Sequence, residues 1–278
     1  MADGAITRRA AVGAAAAGVA ALGGPAMAQG SAQGSGQVSA QAGARKTFVL
    51  IHGAYHGGWC WRRVADLLER DGHKVFAPSL TGNGDRSHLL SLDVNLDTQI
   101  ADIANLITWE DLSGICLVAH SLGGWPCSGA LETIHGRVAS IVWLDAFKPK
   151  DGERAIDFIS AHSRQATVDA VNRGEAGRAP PPAKLFSLSE RDFAWIDAKL
   201  TAQPNGPAMQ RIRLSGKRET IANKTYIRAP RYPHPAFDAA LAECQADPSW
   251  GTIVNETAGH DVMIDQPQWL AEVLLRAA

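Results

Sequence analysis

The feature that most constrains this chain is an apolar run that stops at a serine, Ile115–Gly124. The run has strand character as far as Ala119, the serine is Ser121, and Gly123 follows two positions later. Small residues at two-residue spacing on both sides of a serine are typical of a strained strand-to-helix turn, in which larger side chains would collide. Such a turn exposes the hydroxyl at the carboxyl edge of a sheet. The stretch therefore predicts a nucleophilic serine, and the alternative is an ordinary loop serine.

The rest of the chain alternates short apolar strands with helical segments. Because several of these strands are apolar throughout, the pattern is typical of a mostly parallel, doubly wound sheet covered on both faces. We predict an α/β core over residues 46–146 and 220–278. Its strands are expected at residues 47–51, 74–78, 115–120, 139–144, 224–228 and 251–255.

Residues 147–219 have a different pattern. Two amphipathic segments, near residues 155–172 and 189–201, flank the proline run Pro180–Pro182, and no strand-like run separates them. We predict a helical cap inserted between two strands, placed over the carboxyl edge of the sheet. A cap of this kind excludes water and shapes a pocket, and the alternative is that it only adds packing.

The first 28 residues have the composition of an export signal. Arg8 and Arg9 precede an uncharged, alanine-rich run of 13 residues, 10–22, and Ala26–Ala28 fits a small-residue cleavage site. The paired arginines predict the twin-arginine (Tat) export machinery as a transient partner and a periplasmic or secreted destination. A run of 13 residues is too short to span a bilayer, so no stable membrane anchor is expected. Residues 29–45, rich in Gln, Gly, Ser and Ala, predict a flexible leader.

Charge and cysteine content argue against several classes of function. The net charge is −1 and the basic residues are not clustered, so no nucleic-acid partner is expected. The four cysteines are scattered without a Cys-x-x-Cys pair, which disfavours a zinc site or a disulfide scaffold. His52 and His56 lie in a glycine-rich turn without a third metal ligand at suitable spacing. Since dinucleotide and P-loop motifs are also lacking, neither a metal nor another cofactor is expected.

A nucleophilic serine needs a histidine that removes its proton. His260 is the best candidate among nine histidines because it follows the last predicted strand, after Gly259. His120 adjoins the serine, but neighbouring side chains in such a turn diverge, so we expect it to line the pocket. We expect His52, at the end of the first strand, to support the glycine-rich turn that follows it.

Three motifs carry a resemblance to a known family: His52–Trp61, Ala119–Gly124 and Gly259–Met263. Together they resemble the α/β-hydrolase superfamily, within it the branch of plant methyl-salicylate esterases, hydroxynitrile lyases and related bacterial carboxylesterases. The resemblance covers about residues 46–278. It implies Ser121 as the nucleophile, His260 as the base, and the backbone N–H groups of Ala54 and Leu122 as the oxyanion hole.

The acid of the triad is where this sequence departs from the plant pattern. There an aspartate follows the strand that corresponds to residues 224–228, but here Ala229–Pro235 contains no carboxylate. Asp145 stands at the carboxyl end of the preceding strand, beside the strand of the serine, where some α/β-hydrolases carry their acid. We therefore predict Asp145. The alternatives are Asp238, Asp261, Asp265 and the absence of a classical acid.

The resemblance implies a serine carboxylesterase acting through an acyl-enzyme on small to medium apolar or aromatic esters. The expected pocket residues are Gly53, Tyr55, His120 and Trp125. One alternative is a hydroxynitrile lyase, but those relatives carry a threonine at the position of Gly53 and a lysine where Asp261 stands here. Another is a slow-turnover ligand-binding protein of the same fold. The sequence leaves the identity of the ester and the oligomeric state open.

Overall fold

The computed structural model describes residues 44–278. The predicted export signal, residues 1–28, and the leader as far as residue 43 lie outside the described residues. Among residues 44–278, none of the helices combines the length and apolar composition needed to cross a membrane.

Among residues 44–278, six strands form one parallel sheet and two further strands pair with each other; with the strands numbered by the bounds given next, the order in the sheet is β2-β1-β3-β4-β7-β8. The bounds are β1 Thr47–Ile51, β2 Lys74–Phe76, β3 Ile115–His120, β4 Val138–Leu144, β5 Gly177–Arg178, β6 Gln203–Pro204, β7 Asn223–Arg228 and β8 Trp250–Val254. The predicted α/β core with a parallel sheet is confirmed. Strands β3 and β4 lie side by side at the centre, so their carboxyl ends meet at one edge of the sheet.

The α-helices that accompany these strands are α1 Arg62–Arg70, α2 Leu96–Trp109, α3 Gly124–Ile134, α4 Ala161–Asn172, α5 Phe193–Asp197, α6 Gly206–Met209, α7 Pro235–Ala246, α8 Val262–Asp265 and α9 Pro267–Ala277. Proline opens α7 and α9, where its missing N–H group has no intrahelical partner to lose.

Strand β1 shows why both faces of the sheet are covered. Successive side chains of a strand point to opposite faces. Phe48 and Leu50 pack in the core that contains residues of α1 and α9, whereas Val49 and Ile51 pack in the core that contains residues of α2 and α3. All four side chains are fully buried. The doubly wound arrangement therefore follows from a strand that is apolar on both sides.

The insertion between β4 and β7 differs from the prediction in one respect. It contains α4, α5 and α6, but β5 and β6 also pair there as a short antiparallel ribbon. The expectation that no strand interrupts the cap is wrong, because a ribbon of two residues per strand is too short to show an alternating pattern. The cap contacts the core near the first glycine-rich turn, where Thr201 N–H donates to the carbonyl oxygen of Tyr55 at 2.9 Å.

Candidate active site

Ser121 lies in the strained turn that joins β3 to α3. Its φ is +51°, in the left-handed region that side chains other than glycine rarely adopt. Gly123 makes the turn possible, because a Cβ atom there would lie 2.6 Å from the carbonyl oxygen of His52. The sequence Ser-x-Gly is therefore required by the close approach of the chain after β1. The turn presents the serine side chain above the carboxyl edge of the sheet.

Three side chains from separate segments meet at this edge. The Oγ atom of Ser121 lies 2.9 Å from Nε2 of His260, and Nδ1 of His260 lies 2.6 Å from Oδ2 of Asp145. A carboxylate accepts hydrogen bonds only, so Nδ1 carries the proton and Nε2 keeps its lone pair toward the serine hydroxyl. The structure thus brings together the predicted nucleophile, base and acid, with Nε2 of His260 placed to accept the serine proton.

The carboxylate of Asp145 is hydrogen-bonded to residues at the carboxyl end of β7. Its Oδ1 atom accepts hydrogen bonds from Nη1 of Arg228 at 2.6 Å and from the backbone N–H of Ala229 at 3.0 Å. The guanidinium of Arg228 is buried and also donates from Nε to Asp238 at 2.9 Å. Burial lowers the pKa of Arg228, but the charges of Asp145 and Asp238 outweigh this and raise it. Asp238, an alternative acid in the sequence, therefore contacts the arginine and not the histidine.

Sequence reasoning did not identify Arg228. The available signal was a cation at the end of a largely buried strand, next to the strand that carries the predicted acid. A cation in that position needs a buried anion, and Asp145 is the anion that the neighbouring strand supplies.

A second buried acid–histidine pair lies beside the first. His56 Nε2 lies 3.1 Å from Oδ2 of Asp261, and His56 Nδ1 lies 2.7 Å from the carbonyl oxygen of Ala54. Both partners are acceptors, so both nitrogens of His56 must carry protons. Burial lowers the pKa of His56, but the charge and hydrogen bond of Asp261 outweigh burial and raise it. Burial raises the pKa of Asp261, yet the charge of His56 outweighs this and lowers it to about 2.

Two further histidines beside the serine turn, His120 and His52, are neutral. His120 Nε2 donates to the carbonyl oxygen of His260 at 3.1 Å, and burial lowers its pKa well below the usual range. His52 Nδ1 donates to the carbonyl oxygen of Gly53 at 2.8 Å, while its Nε2 accepts from the N–H of Leu80 at 3.0 Å. Burial lowers the pKa of His52 to about 4. His52 therefore fixes the turn that follows β1, and His120 fixes the backbone of the catalytic base His260.

The candidate oxyanion donors lie on either side of the serine. Leu122 is the second residue of a short 3-10 turn, Ser121–Gly123, and N–H groups at a helix start have no partner within the helix. The N–H of Ala54 donates no hydrogen bond to any of the described residues, 44–278. Ala54 and Leu122 line the same cavity as Ser121.

That cavity has a volume of about 580 Å³. Its lining combines the core edge with the cap and with the loop before α7, and it is rich in apolar and aromatic side chains. These are Tyr55, Leu122, Phe147, Phe158, Ile159, Leu185, Phe186, Tyr232 and Phe237. A second cavity of about 590 Å³, between α1 and the segment near Thr201, contains none of the three triad side chains.

Two of the four expected pocket residues line the cavity and two do not. Tyr55 and His120 are part of its wall. Gly53 lies behind the serine, because a Cβ atom there would be 2.7 Å from Cβ of Ser121 and 3.0 Å from Nδ1 of His120. Trp125 is buried in the core, where its ring packs 6.3 Å from that of Phe147, so its prediction as a pocket residue is wrong.

A cluster with the composition of a metal site lies within this network. His120, His260 and Asp261 each place one ligand atom within 4.8 Å of the others, a grouping found once among residues 44–278. Both nitrogens of His260 already face Asp145 and Ser121, and Asp261 is paired with His56. The ring of His260 is thus fully engaged in hydrogen bonds within the protein, whereas Nδ1 of His120 and Oδ1 of Asp261 have no hydrogen-bond partner among residues 44–278.

Comparison with known proteins agrees with this geometry. The family model described as "Alpha/beta hydrolase family" matches residues 48–273. The chain belongs to this family. It is 33% identical over 236 residues to the carbendazim hydrolyzing esterase of Nocardioides sp. (strain SG-4G), covering 82% of this chain and 97% of that relative.

More distant members show how widely the fold is shared. The putative chloroplastic methylesterase 13 of Arabidopsis thaliana is 26% identical to this chain over 253 residues. The match covers 83% of this chain and 55% of the plant protein. An extracellular α/β-hydrolase from a Paenibacillus species superposes with a TM-score of 0.71 at 22% identity, over 84% of this chain and 99% of that one. The second likeness concerns the fold alone.

Proposed function

We propose that this α/β-hydrolase is a carboxylesterase that works through an acyl-enzyme. The observation that carries the proposal is the continuous hydrogen-bond chain from Ser121 through His260 to Asp145, with contacts of 2.9 and 2.6 Å. The named relatives that cover most of this chain are esterases, which supports ester hydrolysis as the reaction.

The geometry defines the order of proton transfers. Ser121 Oγ attacks the ester carbonyl carbon while its proton passes to Nε2 of His260. The π electrons of the carbonyl move to its oxygen, which becomes an oxyanion. The backbone N–H groups of Ala54 and Leu122 stabilise that oxyanion, and a donor of this kind lowers the barrier by about 3–4 kcal/mol. Asp145 holds the imidazole in the required tautomer and stabilises its cation.

Collapse of the tetrahedral intermediate releases the alcohol, which takes the proton from Nε2 of His260. A water molecule then loses a proton to the same nitrogen and attacks the acyl-enzyme. The second intermediate releases the carboxylic acid and returns a proton to Ser121. Each group ends as it began, so the cycle needs no cofactor.

The cavity supports small to medium substrates with apolar or aromatic groups. Its aromatic wall includes Phe158 and Phe186 of the cap, together with Tyr232, whose ring stacks 4.2 Å from that of His260. Flat apolar groups bury well against such a surface.

The lyase alternative is less favoured by the site. A threonine in place of Gly53 would put its Cβ within 2.7 Å of Cβ of Ser121, so the turn would have to shift. The residue after His260 is Asp261, an anion paired with His56, where the lyase pattern has a cation. The residue that follows the base therefore supplies no cation to stabilise cyanide as a leaving group.

The test is a pre-steady-state assay with p-nitrophenyl acetate and p-nitrophenyl butyrate. We expect a burst of p-nitrophenol equal to the enzyme concentration, and no burst in Ser121→Ala. A burst that survives in S121A would contradict the proposal. Binding of the ester without any turnover would favour the slow ligand-binding protein.

We propose separately that residues 1–28 direct export through the twin-arginine machinery. The support is the sequence itself, Arg8-Arg9 before an uncharged run and Ala26–Ala28 at the expected cleavage site. N-terminal sequencing of the expressed protein is expected to start at Gln29, and a mature protein starting at Met1 would contradict the proposal.

A further inference from the structure

Arg178 is a cation of the cap that lines the same cavity as Ser121. It is the second residue of β5, which the ribbon with β6 fixes in place. Its Nε donates to the Tyr55 hydroxyl at 3.0 Å and its Nη1 to Oδ1 of Asn205 at 3.3 Å. The guanidinium carbon also lies 5.4 Å from the centre of the Tyr55 ring. The guanidinium is therefore oriented by neutral groups.

The charge of Arg178 is not balanced by the protein. Two other arginines of the insertion, Arg154 and Arg173, form ion pairs with Asp157 and Glu175. Arg178, Arg164 and Arg211 form no ion pair with any of the residues that the structure describes, 44–278, but Arg164 and Arg211 donate to backbone carbonyl oxygens, whereas Arg178 lines the cavity.

Besides Arg178, the described residues of the cavity wall include one other side chain of permanent charge, Asp261. Its carboxylate is paired with His56 at 3.1 Å. Since His56 carries two protons, the pair has no net charge. The cavity therefore presents one uncompensated positive charge to whatever enters it.

An arginine is well suited to recognise one kind of group. Its planar guanidinium has five N–H donors in a fork that matches a carboxylate, with two parallel hydrogen bonds. Tyr55 and Asn205 each accept one hydrogen bond here, so three donors are available to a ligand. Holding such a group beside an aromatic wall is a means of selecting an ester by a second functional group.

We propose that Arg178 determines substrate specificity by binding a carboxylate that the substrate carries in addition to its scissile ester. The substrate class is thus half-esters of aromatic or apolar dicarboxylic acids. This inference rests on the proposed esterase function, which it extends by naming the second group.

The test compares three para-substituted methyl benzoates. Methyl 4-carboxybenzoate carries the anion, methyl 4-nitrobenzoate has the same shape without charge, and methyl 4-methylbenzoate lacks the acceptor oxygens. In Arg178→Met we expect kcat/KM for the carboxylate to fall about 10- to 100-fold, mainly through KM, as for a hydrogen bond to a charged group. The two neutral esters should lose much less, so the ratio of anionic to neutral turnover falls.

The matched control is Arg173→Met, which removes an equal charge from the same insertion at an exposed ion pair. In R173M the ratio of kcat/KM for the anionic ester to kcat/KM for the neutral esters should equal that of the wild type. R178Q removes the charge but keeps one neutral N–H donor group, and it provides the comparison if R178M fails to fold. An equal loss for all three esters in R178M or R178Q would overturn the proposal, as would a ratio that does not change.

Binding to a variant without the nucleophile separates this inference from the esterase proposal. By calorimetry, S121A is expected to bind methyl 4-carboxybenzoate about 10- to 100-fold more tightly than S121A/R178Q. That result supports the role of Arg178 even if the wild type hydrolyses no ester, in which case the esterase proposal alone fails. Equal affinity in the two variants overturns the role of Arg178.

Discussion

Two buried acid–histidine pairs lie side by side in this molecule, and they differ in the second hydrogen-bond partner of the histidine ring. In the first, His260 faces a carboxylate with Nδ1 and a hydroxyl with Nε2. In the second, His56 faces a carboxylate with Nε2 and a carbonyl oxygen with Nδ1. The hydroxyl has a proton to give and the carbonyl does not. His260 is therefore placed to take a proton from its partner, and His56 is a cation that holds the chain.

The role of each buried histidine is set by the second hydrogen-bond partner of its ring. Burial and a nearby aspartate are common to both pairs, so neither property identifies the base. The second partner of the ring decides. For His56 that partner is the carbonyl of Ala54, the residue whose N–H we propose as an oxyanion donor. The second pair thus positions the oxyanion hole, while the first transfers protons.

The largest expected effect is on the first pair. Asp145→Asn should lower kcat for a p-nitrophenyl ester by about 10⁴-fold, because the amide favours the wrong tautomer of His260. Steady-state kinetics at pH 8 measure this. Full activity in D145N would mean that the acid is elsewhere.

The next effect concerns the support of Asp145. Arg228→Met leaves a buried carboxylate without its cation, and breaking such a pair lowers the free energy of unfolding by about 3–5 kcal/mol. Urea unfolding measures it, and kcat should fall as Asp145 loses orientation. Asp238→Asn is the control, since it alters the exposed partner of the same arginine and should cost about 1 kcal/mol or less. Equal stability of R228M and the wild type would rule out the supporting role.

The smallest effect is expected in the second pair. Asp261→Asn keeps an acceptor for His56 but removes the charge, so we expect a loss of about 1–3 kcal/mol in unfolding free energy and less than tenfold in kcat. Differential scanning calorimetry from pH 3 to 10 measures how this loss depends on pH.

The sign of that pH dependence follows from the two pKa shifts. The raised pKa of His56 gives stability that is present below 6.5 and is lost as pH rises through the folded-state pKa. The lowered pKa of Asp261 gives stability that is present above 3.8 and is lost as pH falls toward about 2. The difference between D261N and wild type should therefore be largest near pH 5–6. A difference that grows steadily toward high pH would show that His56 is not a cation.

The sequence predicts those parts of the site that are set by the ends of strands. Ser121 follows β3, Asp145 follows β4, and parallel strands bring both to one edge. His260 follows the last strand in the same way. The fold and these three positions could be predicted because alternation and turn chemistry are local properties.

Other parts depend on packing between segments that are distant in sequence. Arg228 reaches Asp145 across 83 positions, and His56 reaches Asp261 across 205. Trp125 is aromatic and close to Ser121 in sequence, as a pocket residue would be, but its side chain on α3 is buried in the core. The periodicity of the sequence does not predict contacts between distant segments, so they were found only in the folded structure.

The most direct test is labelling with a fluorophosphonate, followed by peptide mass spectrometry. We expect a single label on Ser121, a labelling rate that falls by orders of magnitude in D145N, and a rate within tenfold of the wild type in D261N. A label on another residue would contradict it, as would a D261N variant that is labelled as slowly as D145N.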